Sequence, residues 1–166
     1  MEYNIICSGF GGQGVLFLGK VIAEAAICAG LEASWLPSYG PEMRGGTANC
    51  RVVISDSEIV SPAFSRADGL IAMNLSSLDK FKSVTDGIIV TDEAFGCDDT
   101  VGINTEPAGA GQMFDGLTNM IMLGTFVAKT NIFPYDLICE AIKKTAGGEK
   151  ADIDIDAFKY GYKNVE

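Results

Sequence analysis

Two glycine-rich segments contain the residues whose types and spacing could do chemistry. In the first, Gly9-Phe10-Gly11-Gly12-Gln13-Gly14, the spacing of Gly9, Gly11 and Gly14 satisfies G-x-G-x-x-G. The segment follows a short apolar run, Tyr3 to Ser8, and opens a proline-free stretch, Val15 to Ala29. Glycines let backbone N–H groups approach an anion, and a helix N-terminus favours negative charge. The pattern therefore predicts a strand-to-helix turn able to contact a phosphate group.

A nicotinamide or flavin dinucleotide site would also need an acidic residue at the end of the second strand, to bind the ribose. That predicted strand, Glu32 to Leu36, is followed by Pro37 and Ser38, and Glu32 lies at its opposite end. This arrangement weighs against a dinucleotide. Two interpretations remain open. The glycines serve a tight turn and close packing, or the turn contacts a phosphate-bearing ligand or a partner chain. The candidate residues are Gly9, Gly11, Gly12, Gln13 and Gly14.

The second segment, Ser38 to Thr47, combines glycines with side chains that are typical of interfaces. Its candidate contact residues are Ser38, Tyr39, Gly40, Glu42, Arg44, Gly45 and Gly46. Arg44 could present a planar fork to a phosphate or carboxylate, although a local surface pair with Glu42 is an alternative. In a doubly wound sheet the loops after the first two strands lie at the same edge. We therefore expect the two glycine loops to flank one crevice.

Strands alternate with helices along the chain, which indicates an α/β fold: a single domain over residues 1–166, with a largely parallel sheet flanked by helices. A β-hairpin is also expected, in which Thr47–Ser55 turns at Asp56 and returns over Glu58–Ser61. The remaining predicted strands are Leu70–Asn74, Gly87–Thr91 and Val101–Thr105. The remaining predicted helices are Ser76–Ser83 with Ser76 or Ser77 as N-cap, Asn119–Thr130, one from about Pro134 to Thr145, and Asp156–Tyr162.

Composition excludes several classes of function. The net charge of −10 argues against binding to nucleic acid, and the absence of histidine excludes Ser-His-Asp and Cys-His mechanisms within the chain. Five cysteines without a CxxC pair predict reduced thiols in a cytoplasmic protein, with no zinc site or iron–sulfur cluster. The N-terminal residues lack the basic region of a signal peptide, and no apolar run is long enough to span a membrane.

Three further groups of residues are interpreted without a catalytic role. The acidic pairs Asp92-Glu93 and Asp98-Asp99 are expected to form solvated turns rather than a cation site, and Cys97 is not expected to be a nucleophile. The alternating acids Asp152, Asp154 and Asp156 lack the glycine and glutamate of a calcium loop. No metal ligand is therefore assigned.

The two glycine segments together resemble the gamma subunit, or gamma domain, of 2-oxoacid:ferredoxin oxidoreductases. The matching residues are Gly9 to Val15, Ser38 to Glu42 and Arg44-Gly45-Gly46, and further similarities reach Ala157-Phe158 and Gly161. The version over residues 35–50 is most similar to 2-oxoglutarate-type subunits. Pyruvate, branched-chain 2-oxoacid and indolepyruvate types remain possible.

The resemblance implies a chain that is inactive alone and works within a complex. The complex would use thiamine diphosphate, Mg, iron–sulfur clusters and coenzyme A, with alpha, beta and ferredoxin-like delta subunits as partners and ferredoxin as electron acceptor. This chain would supply architecture and part of the coenzyme A approach. Its sequence agrees, because it contains neither Gly-Asp-Gly for a magnesium diphosphate nor a cysteine cluster. The alternative function is a stand-alone module that binds a nucleotide or another phosphate-bearing ligand.

Overall fold

A computed structural model describes residues 1–40, 46–95, 98–106 and 114–165 of the chain. Six strands form one sheet: β1 (Glu2–Phe10), β2 (Glu32–Tyr39), β3 (Thr47–Ser55), β4 (Ala67–Ala72), β5 (Thr85–Asp92) and β6 (Val101–Ile103). The helices are α1 (Val15–Cys28), α2 (Leu75–Phe81), α3 (Thr118–Thr130), α4 (Tyr135–Ala146) and α5 (Lys150–Lys163). Two short 3₁₀ turns cover Lys82–Val84 and Glu93–Phe95. Among the described residues, no helix has the length and hydropathy needed to cross a bilayer.

The sheet is mixed, with the strand order β2-β3-β1-β4-β5-β6. β1, β4, β5 and β6 run parallel to one another, and β3 is antiparallel to both of its neighbours, β1 and β2. Five strands thus share one direction, and β3 alone is reversed. The predicted α/β domain is confirmed, and its sheet is largely parallel with this one reversed strand.

The prediction that Glu58–Ser61 forms the return strand of a hairpin is wrong. Residues Glu58–Ser61 form no strand, and Val60 is 95% exposed. Both edges of β3 are already occupied, by β1 on one side and β2 on the other, so nothing remains for a return strand to pair with. The hairpin exists instead between β2 and β3, and its connection is the second glycine segment.

Several element boundaries also differ from the predictions. β2 continues through Pro37 to Tyr39 because β2 is an edge strand, where a residue without an N–H is tolerated. The N-cap of α2 is Asn74, whose Oδ1 accepts a hydrogen bond from the Ser77 N–H at 2.8 Å, and not Ser76 or Ser77. α5 begins at Lys150, six residues before the predicted start at Asp156.

The two faces of the sheet are covered unequally. α1 packs on β1, β2 and β3, and α3, α4 and α5 lie on the same side, around a core that includes Leu18, Ile121 and Phe158. On the other face, α2 packs on β1 and β4 over a smaller core with Leu70 and Leu78. The carboxyl ends of β1, β2, β4, β5 and β6 meet at one edge, and the connections that leave this edge form the candidate site.

Candidate functional site

The first glycine segment forms a tight turn between β1 and α1. Gly12 and Gly14 have φ angles of 94° and 76°, a left-handed conformation that glycine adopts without steric cost. The side chain of Gln13 folds back, and its Oε1 accepts a hydrogen bond from the Phe10 N–H at 2.6 Å. The Gln13 N–H donates to the Phe10 carbonyl at 3.2 Å. The turn is therefore closed by its own residues as well as by its glycines.

Two residues from distant parts of the chain hold the turn in place. Gln13 Nε2 donates to the Met73 carbonyl at the end of β4, at 3.3 Å. Asn119 Nδ2, from the first turn of α3, donates to the Gly14 carbonyl at 3.3 Å. A Cβ on Gly14 would collide with this amide, so the position requires glycine for contact as well as for conformation. Asn119 is 5% exposed, and its Oδ1 accepts from the Met120 N–H.

The described parts of the second glycine segment, residues 38–40 and 46–47, lie directly beside the first segment. The Gly11 N–H donates to the Gly46 carbonyl at 2.9 Å, and the Gly40 N–H donates to the Thr47 carbonyl at 2.8 Å. Pairing of Phe10 with Thr47 and of Tyr39 with Ala48 brings the ends of β1 and β2 to the same edge. The two segments therefore flank one crevice, as expected.

The crevice is a cleft of about 750 Å³ with mostly apolar walls. It is lined by Phe10, Leu16, Phe17 and Tyr39 and by five glycines, which are Gly11, Gly12, Gly14, Gly40 and Gly46. Tyr39 is 70% exposed and Phe10 is 39% exposed. Large apolar side chains left this accessible around a concavity indicate a surface that binds something.

The N-terminus of α1 supplies positive potential to this cleft. Its N-cap is Gly14, which has no side chain to accept a hydrogen bond from the first turn, and that turn contains no acidic residue. The first backbone N–H groups of a helix have no partner within the helix and carry the positive end of its dipole. Val15, Leu16 and Phe17, which carry these groups, line the cleft. The site therefore combines apolar walls with an anion-favouring end.

A second cavity, of about 600 Å³, lies beyond Gln13 at the ends of β4, β5 and β6. Asp92, Glu93 and Glu106 make it acidic. The carboxylate of Asp92 already has partners within the chain, because it accepts hydrogen bonds from the Ala94 N–H and the Thr105 hydroxyl. Among the described residues, no group of three or more His, Cys, Asp or Glu could hold a metal ion. Asp92 ends β5 and Glu93 begins the 3₁₀ turn that follows it, so the two residues lie at a turn as predicted.

Two buried thiols lie beneath the first turn of α1. Cys7 on β1 and Cys50 on β3 are directly paired in the sheet and are fully buried. Cys50 Sγ donates to the Val15 carbonyl at 3.5 Å. The contact with Cys50, together with burial, raises the pKa of Cys7, so this thiol stays protonated at neutral pH. The cysteines among the described residues are free, and Cys97 lies outside those residues.

The predicted site residues have different positions. Gly11, Gly12, Gly14, Tyr39, Gly40 and Gly46 line the cleft together. Gly9 packs beneath Gln13 and Val15, and Gln13 braces the turn. Ser38 belongs to the opposite face of the sheet. Glu42, Arg44 and Gly45 lie outside the described residues.

Sequence reasoning missed several contributors to this site. Asn119 is 105 positions from the Gly14 carbonyl that it contacts, and the Met73 carbonyl is 60 positions from Gln13. Asn119, with Leu123-Gly124, takes part in the family resemblance, but nothing in its local sequence or in that of Met73 indicates a contact with the glycine turn. Leu16 and Phe17 could have been found, because residues in the first turn of a helix that follows a glycine loop face the same concavity as the loop.

Comparison of the sequence with known proteins identifies the family of the chain. Residues 4–164 match the family Pyruvate ferredoxin/flavodoxin oxidoreductase. The chain is 38% identical over 162 residues to ketoisovalerate oxidoreductase subunit VorA of Methanothermobacter thermautotrophicus, covering 93% of this chain but 34% of VorA. It is 33% identical over 177 residues to 2-oxoglutarate synthase subunit KorC of Methanothermobacter marburgensis, covering 97% of this chain and 95% of KorC.

A solved structure shows the same fold over the whole domain. It is the gamma subunit of a keto/oxoacid ferredoxin oxidoreductase from Geobacter sulfurreducens, with a TM-score of 0.84 and 27% identity, covering 98% of this chain and 95% of that one. The chain thus spans about a third of VorA and nearly all of KorC and of the Geobacter subunit. It belongs to the pyruvate ferredoxin/flavodoxin oxidoreductase family, and over nearly its whole length it has the fold of a gamma subunit of that family.

Proposed function

We propose that this gamma subunit forms one wall of the coenzyme A approach in an assembled complex that oxidises a 2-oxoacid and passes electrons to ferredoxin. The main support for the proposal is the cleft beside the hydrogen bond between Gly11 of the first glycine segment and Gly46 of the second. Thiamine diphosphate, Mg and iron–sulfur clusters belong to other chains of the complex. The described residues of this chain offer no cluster of metal-ligating side chains, so no redox step is assigned to them.

Coenzyme A suits the physical character of the cleft. Its pantetheine arm is flexible and largely uncharged, and its phosphates are anionic. The volume of about 750 Å³ lies within the range of small-molecule sites. Phe10 and Tyr39 would contact the arm, and the free N–H groups at the start of α1 would face a phosphate. The chain would bind and orient the acceptor of the acyl group, and the chemistry would occur elsewhere.

A charge at the start of α1 tests this role. We expect Leu16→Glu to raise the KM for coenzyme A about tenfold with little change in kcat, because the new carboxylate would repel the phosphates. Leu16→Gln has nearly the same shape without the charge and should behave like the wild type. Neither change should unfold α1, since acidic side chains stabilise the first turn of a helix. Equal KM values for the two variants would contradict a role of the cleft in binding coenzyme A.

For the 2-oxoacid we propose 2-oxoglutarate, which agrees with the similarity to KorC over nearly the full length of both chains. A branched-chain 2-oxoacid is the second candidate, because the identity to VorA is higher, at 38%. Activity of the complex with 2-oxoglutarate, 3-methyl-2-oxobutanoate and pyruvate, followed as ferredoxin reduction, would rank the three. A preference for either of the other two acids would overturn the first assignment.

The isolated chain separates this function from a stand-alone binding module. We expect the purified chain to have no visible absorbance and no 2-oxoacid turnover, and to co-purify from its natural source with larger chains. A stand-alone module would instead remain monomeric in the native extract. It would also gain thermal stability with NAD, FAD or ATP, because a ligand that binds only the native state raises its apparent stability.

A further inference from the structure

Among the described residues, no helix covers β2 and β3 on one face of the sheet. Residues directly opposite one another in neighbouring strands point to the same face. Pairing of Ile6 with Arg51, and of Leu36 with Arg51, places these three side chains on the face that carries α2. Ser38 and Asn49 are likewise paired and share that face. The face formed by Leu36, Ser38, Asn49 and Arg51 is called the β2–β3 face.

The length of α2 explains why this face is open. α2 has seven residues, which corresponds to a length of about 10 Å. It covers Ile6 and Ser8 of β1, where the Ser8 hydroxyl donates to the Ser77 hydroxyl at 2.9 Å. Beyond its last residue, Phe81, the β2–β3 face forms an open cleft of about 430 Å³. Leu36 is 42% exposed there.

The ionisable side chains lining this cleft, among the described residues, are both cationic, although the whole chain has a net charge of −10. Arg51 donates one hydrogen bond to the Phe64 carbonyl, and its guanidinium stacks on the Phe64 ring at 5.0 Å. Lys80 lies 5.1 Å from the ring centroid of Phe81. Within the described part of the chain, neither residue forms an ion pair. These contacts hold two cations beside apolar surface without neutralising them.

The backbone beside the cleft is also available. β2 is the terminal strand of the sheet, so its outer N–H and C=O groups have no strand partner among the described residues. An exposed strand edge can accept an extended segment of another chain through main-chain hydrogen bonds. A small anion would use the two cations but not this edge or Leu36. A polypeptide segment would use all three.

We propose that the β2–β3 face, with Lys80 and the edge of β2, docks an extended acidic segment of a larger subunit of the same complex. This inference rests on the proposed function, which places the chain in an assembly. The VorA relative gives it a context, because the matched sequence is only 34% of that polypeptide and the domain is accompanied there by a longer chain. Complementary charge would set the orientation and rate of association, and Leu36 would supply apolar contact.

Charge reversal at Lys80 tests the docking. The gamma chain would be purified and titrated into the remaining subunits, with assembly measured by analytical ultracentrifugation or biolayer interferometry. We expect Lys80→Glu to weaken assembly about tenfold or more, and the effect to shrink at high salt. The matched control is Lys159→Glu on α5, on the opposite side of the sheet, which makes the same change in net charge. Leu36→Ser should weaken assembly without a dependence on salt.

Different results would overturn the proposal. Wild-type affinity in both Lys80→Glu and Leu36→Ser would show that the face is not an interface. Intact assembly with a raised KM for coenzyme A in Lys80→Glu would assign the cations to a small anion instead. Failure of the wild-type chain to join any larger subunit would overturn the proposed function and this docking together. Unchanged melting temperatures of the isolated variants would show that a loss of assembly is not a loss of folding.

Discussion

At the scale of single residues, the candidate site depends on a glycine whose conformation and contacts can be separated by experiment. Gly14 and Gly30 both have φ of 76°. A Cβ on Gly30 would meet nothing within 4 Å, whereas a Cβ on Gly14 would collide with the Asn119 amide. Alanine at either position carries the cost of a left-handed backbone, about 1 kcal/mol. Gly14→Ala carries in addition the cost of displacing Asn119.

We therefore predict that Gly14→Ala lowers the free energy of unfolding by about 1–2 kcal/mol more than Gly30→Ala does. Urea denaturation of the two purified variants measures the difference. Gly14→Ala should also impair use of coenzyme A by the complex, and Gly30→Ala should not. Equal stability losses would mean that Asn119 does not hold the turn.

A second residue, Asp154, predicts a dependence of stability on pH. Asp154 is 1% exposed, and its Oδ2 has no hydrogen-bond partner. Burial raises the pKa of this carboxyl, and Lys150 opposes the shift. The folded state therefore holds the proton more tightly than the unfolded state does. The stability that this group contributes is fully present below its unfolded pKa, and it is lost as pH rises through the folded pKa.

Asp154→Asn removes this titration. We expect the variant to be more stable than the wild type by about 1 kcal/mol at pH 7, because a neutral amide is cheaper to bury than a carboxylate. The difference should vanish below about pH 3, where the wild-type carboxyl is protonated in both states. Thermal melts at several pH values check this. A difference that is constant with pH would show that folding does not raise the pKa of Asp154.

At the scale of elements, α3 and α5 approach so closely that their contact requires glycine on both helices. A Cβ on Gly124 would collide with the Phe158 carbonyl, and a Cβ on Gly161 would collide with the Ile121 carbonyl. Backbone cannot move aside as a flexible side chain can. We predict that Gly161→Ala destabilises the protein by more than about 3 kcal/mol, although alanine has the higher intrinsic helix propensity.

The control for this contact is Lys159→Ala, an exposed position on the same helix. It should change the free energy of unfolding by less than about 0.5 kcal/mol. Far-UV circular dichroism during urea unfolding measures both variants. A stabilising Gly161→Ala would mean that the two helices are further apart than the structure shows.

Elements with strong local signals could be predicted, and those decided by tertiary packing could not. β3 has its predicted bounds, since Thr47–Ser55 is a continuous β-rich run. α5 was predicted too short because Asp152, Asp154 and Asp156 interrupt the apolar pattern, and packing on α3 overrides that local pattern. The predicted β2 ends at Leu36, before Pro37, because the position of this strand at the edge of the sheet cannot be read from local sequence.

At the scale of the whole molecule, chain direction explains why the site could be partly predicted. Parallel strands place their carboxyl ends at one edge, so two glycine segments after β1 and β2 were expected to meet there, and Gly11 and Gly46 do. The insertion of β3 between β1 and β2 was not expected. It also separates the glycine turn from the end of β2, where a dinucleotide fold would place its ribose-binding acid, which adds a structural reason against that class of ligand.

The same topology predicts how the chain unfolds. The one tryptophan, Trp35, lies on edge strand β2, where its indole nitrogen sits close to Gly19 and Cys50. α1 packs on β2 and β3 and also on α4. The helix that covers β2 therefore belongs to the main core. We therefore expect Trp35 fluorescence and far-UV circular dichroism to report coincident urea transitions in the isolated chain. An earlier fluorescence transition would show that the edge strand unfolds separately from the rest of the isolated chain.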